Sequence, residues 1–286
     1  MSASLVVLLP LLVLAVVSLF AFAGCFTKPD PPPFPYHAQI LSTAGLVAYW
    51  RLGDGALPDA LDEGSLHLTG AYHGGVALLA QPGALEHTEP ADKAPTFNGQ
   101  DAYVEVPWDA RLNPPSFSVE AWIQPAVFVA GWSPVQQIVA SHNVAGGLDY
   151  GFEITVFRQP DPNPRIQGRV CTGMGAPTAL AVEVVFAVPD AQLGGPGNDW
   201  KHVVLTYDGL AADTPATLYV DGVARQTMTG VPYTPNSGQP LRIAAGRTPQ
   251  QPAPAQFYAG AVDEVAVYNV ALTEAVVAKH FHASGR

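Results

Sequence analysis

Twenty-four Asp and Glu, eight His and two Cys residues are the groups from which this chain of 286 residues could build reactive chemistry. Cleaving a glycosidic bond needs two carboxyls across one cleft, about 5–5.5 Å apart for retention and about 6.5–9.5 Å for inversion. A Glu-x-Asp-x-x-Glu strand, whose alternate side chains share a face, would place them, but the sequence has no such run. Glu153-Ile154-Thr155 and Glu183-Val184-Val185 lack partner acids, and Asp263 and Glu264 are neighbours that a regular strand sends to opposite faces. A Gly-x-Ser-x-Gly elbow, a Gly-x-x-x-x-Gly-Lys phosphate loop and a His-Glu-x-x-His helix are all missing. His280 and His282, at i, i+2 near the end of a C-terminal helix, are expected in solvent rather than on a metal. Cys25 and Cys171 are too few for a disulfide framework or a cysteine-based zinc site. Recognition is better supplied. Trp108 (VPWDARLNPP) and Trp132 (VAGWSPV) stand in loop-like contexts, where an exposed indole offers a ligand a flat apolar surface. Trp50, Trp122 and Trp200 fall within β-like runs and are expected to fill the ~10 Å between stacked sheets.

Composition narrows what positions these groups. Hydrophobic residues make up 48% and charged residues 13%, which excludes a disordered polyelectrolyte. With 28 Pro and 27 Gly, the chain is too heavily punctuated for long helices. A net charge of −11 without a basic cluster repels phosphate backbones, so no nucleic-acid partner is expected.

The start of the chain differs from the rest. Leu5 to Phe26 carries no charge and, as a helix rising ~1.5 Å per residue, reaches ~33 Å, enough to cross a bilayer core. Residues 1–26 therefore read as an N-terminal hydrophobic helix: a signal peptide, a lipoprotein signal or an uncleaved anchor. Ala21-Phe22-Ala23-Gly24-Cys25 resembles a bacterial lipobox, which would make Cys25 the lipidated residue. The domain is expected outside the cytoplasm, at the cell surface or in the periplasm, attached to a membrane. Residues 27–43, opening with Lys28-Pro29-Asp30-Pro31-Pro32-Pro33, read as a stiff polyproline spacer.

From residue 44 onward, strand-like runs alternate with turn signals. Ser116–Ile123 puts Phe117, Val119, Ala121 and Ile123 on one face and Ser116, Ser118, Glu120 and Trp122 on the other. Asp221-Gly222 between ATLYV and Val223-Ala224 reads as a two-residue hairpin turn. Leu272–Phe281, with Thr273 as N-cap, reads as a short helix. About ten strands and one terminal helix predict an all-β, antiparallel β-sandwich.

The order of blocks carries a resemblance. AYWRL (48–52), FNGQDAYV (97–104), SFSVEAWI (116–123), WKHVVLTYDG (200–209), LYVDG (218–222) and VDEVAVYNVAL (262–272) together resemble the LamG-like jelly roll of the concanavalin A-like lectin/glucanase superfamily. The resemblance runs from about residue 44 to the C-terminus, with lengthened loops between Phe157 and Trp200. It implies a structural calcium where the first and last strands meet, for which Asp54, Asp101 and Asp263 are the candidate ligands. It also implies a binding module whose partner is a glycan or a surface or matrix protein. A glycoside hydrolase of the same fold and a structural surface protein are the alternatives.

Overall fold

The computed structural model describes residues 35–126, 131, 133–157, 165–174, 186–187, 200–248 and 251–286. Residues 1–26 with Cys25, the proline run and Trp132 lie outside these. Among the described residues no helix is long and apolar enough to cross a membrane. Helix α1 (Tyr36–Leu41) comes first and helix α2 (Glu274–Ala283) last. Between them run β1 (Leu46–Trp50), β2 (Asp59–Ala60), β3 (Gly70–His73), β4 (Ala77–Pro82), β5 (Lys93–Asn98), β6 (Tyr103–Val106), β7 (Ser116–Pro125), β8 (Val135–Ala145), β9 (Leu148–Phe157), β10 (Arg165–Thr172), β11 (Phe186–Ala187), β12 (Lys201–Asp208), β13 (Ala216–Val220), β14 (Val223–Met228), β15 (Leu241–Ile243), β16 (Gly246–Thr248), β17 (Gln251–Ala255) and β18 (Ala259–Tyr268).

Two eight-stranded sheets form the predicted sandwich. The first runs β14-β13-β12-β7-β18-β5-β4, with β1 also on β18; the second runs β11-β10-β9-β8-β15-β6-β3-β2, and every strand pair is antiparallel. First and last strands pair as Trp50↔Val265 and Leu46↔Tyr268. The Asp221-Gly222 turn closes the β13–β14 hairpin with both residues at positive φ, 52° and 75°, the primed geometry that matches strand twist. Between the sheets Phe117 stacks on Phe152 at 4.6 Å, and Trp50, Val119, Ile154, Val262 and Ile243 share the same core. Each such apolar side chain contributes about 1.5–3 kcal/mol on burial.

Strand β7 is buried on both faces because the helices cover the side turned away from the core. Trp122 and Trp200 pack there with Tyr36, Ile40, Tyr268 and Val277, so only Trp50 of the three strand tryptophans lies between the sheets. Residues 36–43 are thus no spacer: Tyr36 and Ile40 are fully buried under this roof. At its centre Glu120, also fully buried, accepts from Tyr36 Oη (2.7 Å), Tyr268 Oη (3.1 Å), His202 Nε2 (2.8 Å) and His280 Nδ1 (2.9 Å). Burial alone would raise its pKa, but the His280 charge and the bonds from both histidines outweigh that and hold it well below the usual range. His280, expected in solvent, is instead an interior residue that ties α2 to β7 and, through Thr43 Oγ1 at 2.9 Å, to the segment after α1.

Candidate functional site

The outer face of the second sheet is built differently. Val104, Val106, Leu241, Ile243, Phe152, Ile154 and Val170 point inward, so by strand alternation Glu105, Arg242, Glu153 and Arg169 point outward. Register aligns them in one row, Ala71–Glu105–Arg242–Ala140–Glu153–Arg169, crossing six strands. Ala140 stands at the row's middle between Arg242 and Glu153, both of them buried. Arg242 Nε donates to Glu105 Oε2 (2.9 Å), Arg169 pairs with Glu153, and Gln137 Nε2 donates to Glu153 Oε2 (2.6 Å). His142 Nε2 meets Asp149 Oδ1 at 3.1 Å, while its Nδ1 lies 3.8 Å from Glu153. The His142 bond, against the effect of burial, pushes the Asp149 carboxyl below its ordinary value. Cys171, two residues beyond Arg169, is a buried free thiol whose pKa burial and then Glu153 push up.

Aromatic rings flank this face. His73 stacks on Tyr103 at 4.7 Å, two residues before Glu105, and Phe257 lies 6.0 Å from Tyr103. At the opposite end of β6 stands Trp108, 42% exposed, its Nε1 donating to Asn236 O (3.2 Å). Asn236 in turn donates to Ser141 of β8. Of the two tryptophans singled out from sequence, Trp108 is therefore available at this rim, and Trp132 lies outside the described residues.

The three candidate calcium ligands do not converge. Asp54 accepts from Tyr72 Oη (2.9 Å) and Leu61 N (3.3 Å), and burial raises its pKa. Asp101 closes a turn, accepting from Asn98 Nδ2 (2.7 Å) and Gly75 N (3.1 Å), which lower its pKa. Asp263 gathers Asp92 and Glu264 instead, their oxygens within 4.8 Å of one another. The cause is a bulge in β18. Val262 and Val265 both face the core, a spacing of three, and Glu264 takes φ 53°, so the two acids share one outward position rather than opposite faces. This stretch lies where β18 leaves β5 after Ala261 and has not yet met β1 at Val265. The 83–92 turn fills the notch: Ala84 N donates to Asp263 Oδ2 (2.8 Å) and Leu85 N to Asp92 Oδ2 (2.9 Å).

Arg51 serves this cluster as counter-ion, its Nε on Glu264 (2.9 Å) and its Nη2 on Glu89 (2.9 Å) and Asp92 (3.4 Å). Tyr49 Oη also donates to Glu264. One guanidinium faces four carboxylates, and Asp263 Oδ1, fully buried, has no partner. Burial and then Asp92 drive the Asp263 pKa well up, and burial does the same to Glu264. Three hard oxygen donors with one left unsatisfied fit a calcium ion. The fitting set is Asp92, Asp263 and Glu264.

A family model described as the concanavalin A-like lectin/glucanases superfamily matches residues 98–278. No curated protein matches the sequence closely. Among solved structures, the binding domain of botulinum neurotoxin DC in complex with SialylT aligns with TM-score 0.58 and 11% identity, covering 84% of this chain and 52% of that one. The same domain in complex with rat synaptotagmin II gives 0.57 and 12%, over 84% and 52%. A botulinum neurotoxin type C structure, whose cell entry depends on two ganglioside molecules, gives 0.58 and 12%, over 87% and 53%. At such identities the likeness is one of fold, and the chain spans about half the length of those chains.

Proposed function

Because the chain belongs to the concanavalin A-like lectin/glucanases superfamily, we propose that it is a non-enzymatic binding module that recognises a glycan, or a glycan-bearing protein, on the outer face of its second sheet. One observation carries the reading: Trp108, 42% exposed, and Tyr103 stand at the ends of β6, beside a row of charged groups in which Glu105 and Arg169 keep part of their surface while Arg242 and Glu153 are buried. Sugars are held by planar polar groups beside aromatic surfaces. Structurally similar binding domains that take sialylated ligands, gangliosides or synaptotagmin support the class of partner.

The arrangement favours binding over hydrolysis. Glu105 and Glu153 stand three strand spacings apart in the row, about 14 Å, beyond either glycosidase separation. Asp149 is shifted down, opposite to what a general acid needs. Calcium, held by Asp92, Asp263 and Glu264, would supply the missing positive charge at the seam between first and last strands, a structural role remote from the row. Residues 1–26 would attach the domain to a membrane outside the cytoplasm, through Cys25-linked lipid or as a helix.

The test is a glycan array probed with the full-length chain in detergent, followed by titration of any bound sugar. Trp108→Ala and Arg242→Ala are each expected to weaken binding at least tenfold. Absence of any bound glycan, or full binding by both variants, would refute this site.

A further inference from the structure

The roof over the first sheet contains a histidine whose hydrogen bonds fix its protonation state. Thr43 Oγ1 has a single hydrogen, which it donates to the Gln39 carbonyl at 2.8 Å. At its 2.9 Å contact with His280 Nε2 the hydroxyl is therefore the acceptor, and Nε2 carries a hydrogen. At the other end of the ring, Nδ1 lies 2.9 Å from Glu120 Oε2. Against burial, the His280 charge and the bonds from both histidines hold the Glu120 carboxyl well below its usual range. An ionised carboxylate only accepts, so Nδ1 carries a hydrogen too, whereas a neutral imidazole donates from one nitrogen alone. The groups that face the ring agree with this. Tyr36 of α1 and Tyr268 of β18 stand 6.5 and 6.2 Å from it, and burial and then Glu120 keep both phenols protonated, with Glu264 of β18 adding to the effect. His202 of β12 shares Glu120 with it, and its Nδ1 has no partner, as suits a ring that donates through Nε2 only. On α2 itself, Lys279 and His282 are exposed.

We propose that His280 is a buried imidazolium whose two N–H donors strap α1 to the sandwich, and that loss of one of these protons loosens the strap. The device lies in the roof of the first sheet and does not depend on what the second sheet binds. Deprotonation acts first at Thr43. Once Nε2 has no hydrogen, Thr43 must turn its own toward the ring and give up Gln39 O, the carbonyl that ties it to α1. Thr43 is half-buried whereas His280 is fully buried, so this is the end of the ring nearer to water. At the other end, Glu120 loses the positive charge that offset its burial. Both effects reach α1, because Tyr36 bonds to Glu120 and Thr43 to His280. Acid undoes the same strap from the opposite side: the depressed Glu120 contributes above its unfolded value and is lost as pH falls through its folded one. Everything before Tyr36 in the sequence joins the domain through this helix, so the proton governs how firmly the N-terminal residues are held to the sandwich.

The experiment uses the full-length chain in detergent with 15N-labelled histidine rings, followed by NMR from pH 5.5 to 10, and the His280 signals are those missing from His280→Gln. Amide exchange over residues 39–43, corrected for its intrinsic pH dependence, is measured on the same samples. His280 is expected to carry both ring protons at the acid end. As pH rises, its loss of one should share a midpoint with an at least tenfold fall in protection over residues 39–43, while β7 and β12 change less than twofold. In Thr43→Val, protection over residues 39–43 should be low throughout and insensitive to pH, with β7 and β12 unaltered. A ring with one proton at every pH overturns the imidazolium, and a ring that keeps both to pH 10 overturns the switch. Loss of the proton without a change over residues 39–43 overturns the strap. A pH dependence retained in Thr43→Val overturns the assignment to Thr43. Should His280→Gln fail to fold, Thr43→Val displaces the His280 signals and identifies them instead.

Discussion

Replacing Asp263 by Asn separates two ways in which the buried acid cluster is neutralised. Asp263 is fully buried, its Oδ1 has no partner, and Asp92 and Glu264 stand within 4.8 Å. If calcium occupies the cluster, it binds only the folded chain and stabilises it by about 2.7 kcal/mol at a hundredfold excess over Kd. For a domain of this size that corresponds to about 5–11 °C in Tm. Without metal, neutralisation comes from protons. The folded pKa of Asp263 is raised, so folding takes up a proton there. That stabilisation is complete below the unfolded value of about 3.9 and is lost as pH rises through the folded value. The assay is a set of melting curves from pH 4 to 8, in excess calcium and in chelator, for wild type and Asp263→Asn. In calcium the wild type is expected to melt about 5–11 °C higher than in chelator at pH 7. In chelator its Tm should fall as pH rises, and Asn, shaped like the protonated acid, should flatten that fall and abolish the calcium response. A wild-type Tm indifferent to chelator refutes the metal; a Tm in chelator that does not fall with pH refutes the buried-acid reasoning.

Deleting residues 1–35 should leave Tm unchanged, whereas deleting 1–43 removes the buried Tyr36 and Ile40 and should cost about 2–5 kcal/mol or more; thermal melts of the two truncations decide. Glu120→Gln strips the charge that four donors surround and should destabilise by about 3–5 kcal/mol in urea titrations. Because the folded pKa of Glu120 is depressed, its stabilisation is present above the unfolded value of about 4.3 and lost as pH falls through the folded one, so the variant should show a shallower acid limb. Cys171 should react with a thiol reagent only after denaturation, since burial and Glu153 keep it protonated, and mass spectrometry of non-reduced peptides should show no Cys25–Cys171 link.

Local pattern determined much of this protein. Alternation in Ser116–Ile123 assigned both faces of β7, Asp221-Gly222 marked the β13–β14 hairpin, and the family blocks pointed to the sandwich because a strand's period and a turn's φ requirement act over a few residues. Once the strands are placed, the same alternation turns Glu105, Glu153, Arg169 and Arg242 away from the core. What it could not say is that these four stand in one row, because register across six strands depends on pairings between residues as far apart as Glu105 and Arg242. Tertiary structure also decided where local rules failed. A single inserted residue in β18 turned Asp263 and Glu264 to the same side, since the neighbouring strands leave a gap there for the 83–92 turn to enter with Asp92. His280 became an interior residue because Glu120, 160 positions earlier, needed a buried partner once α2 covered β7.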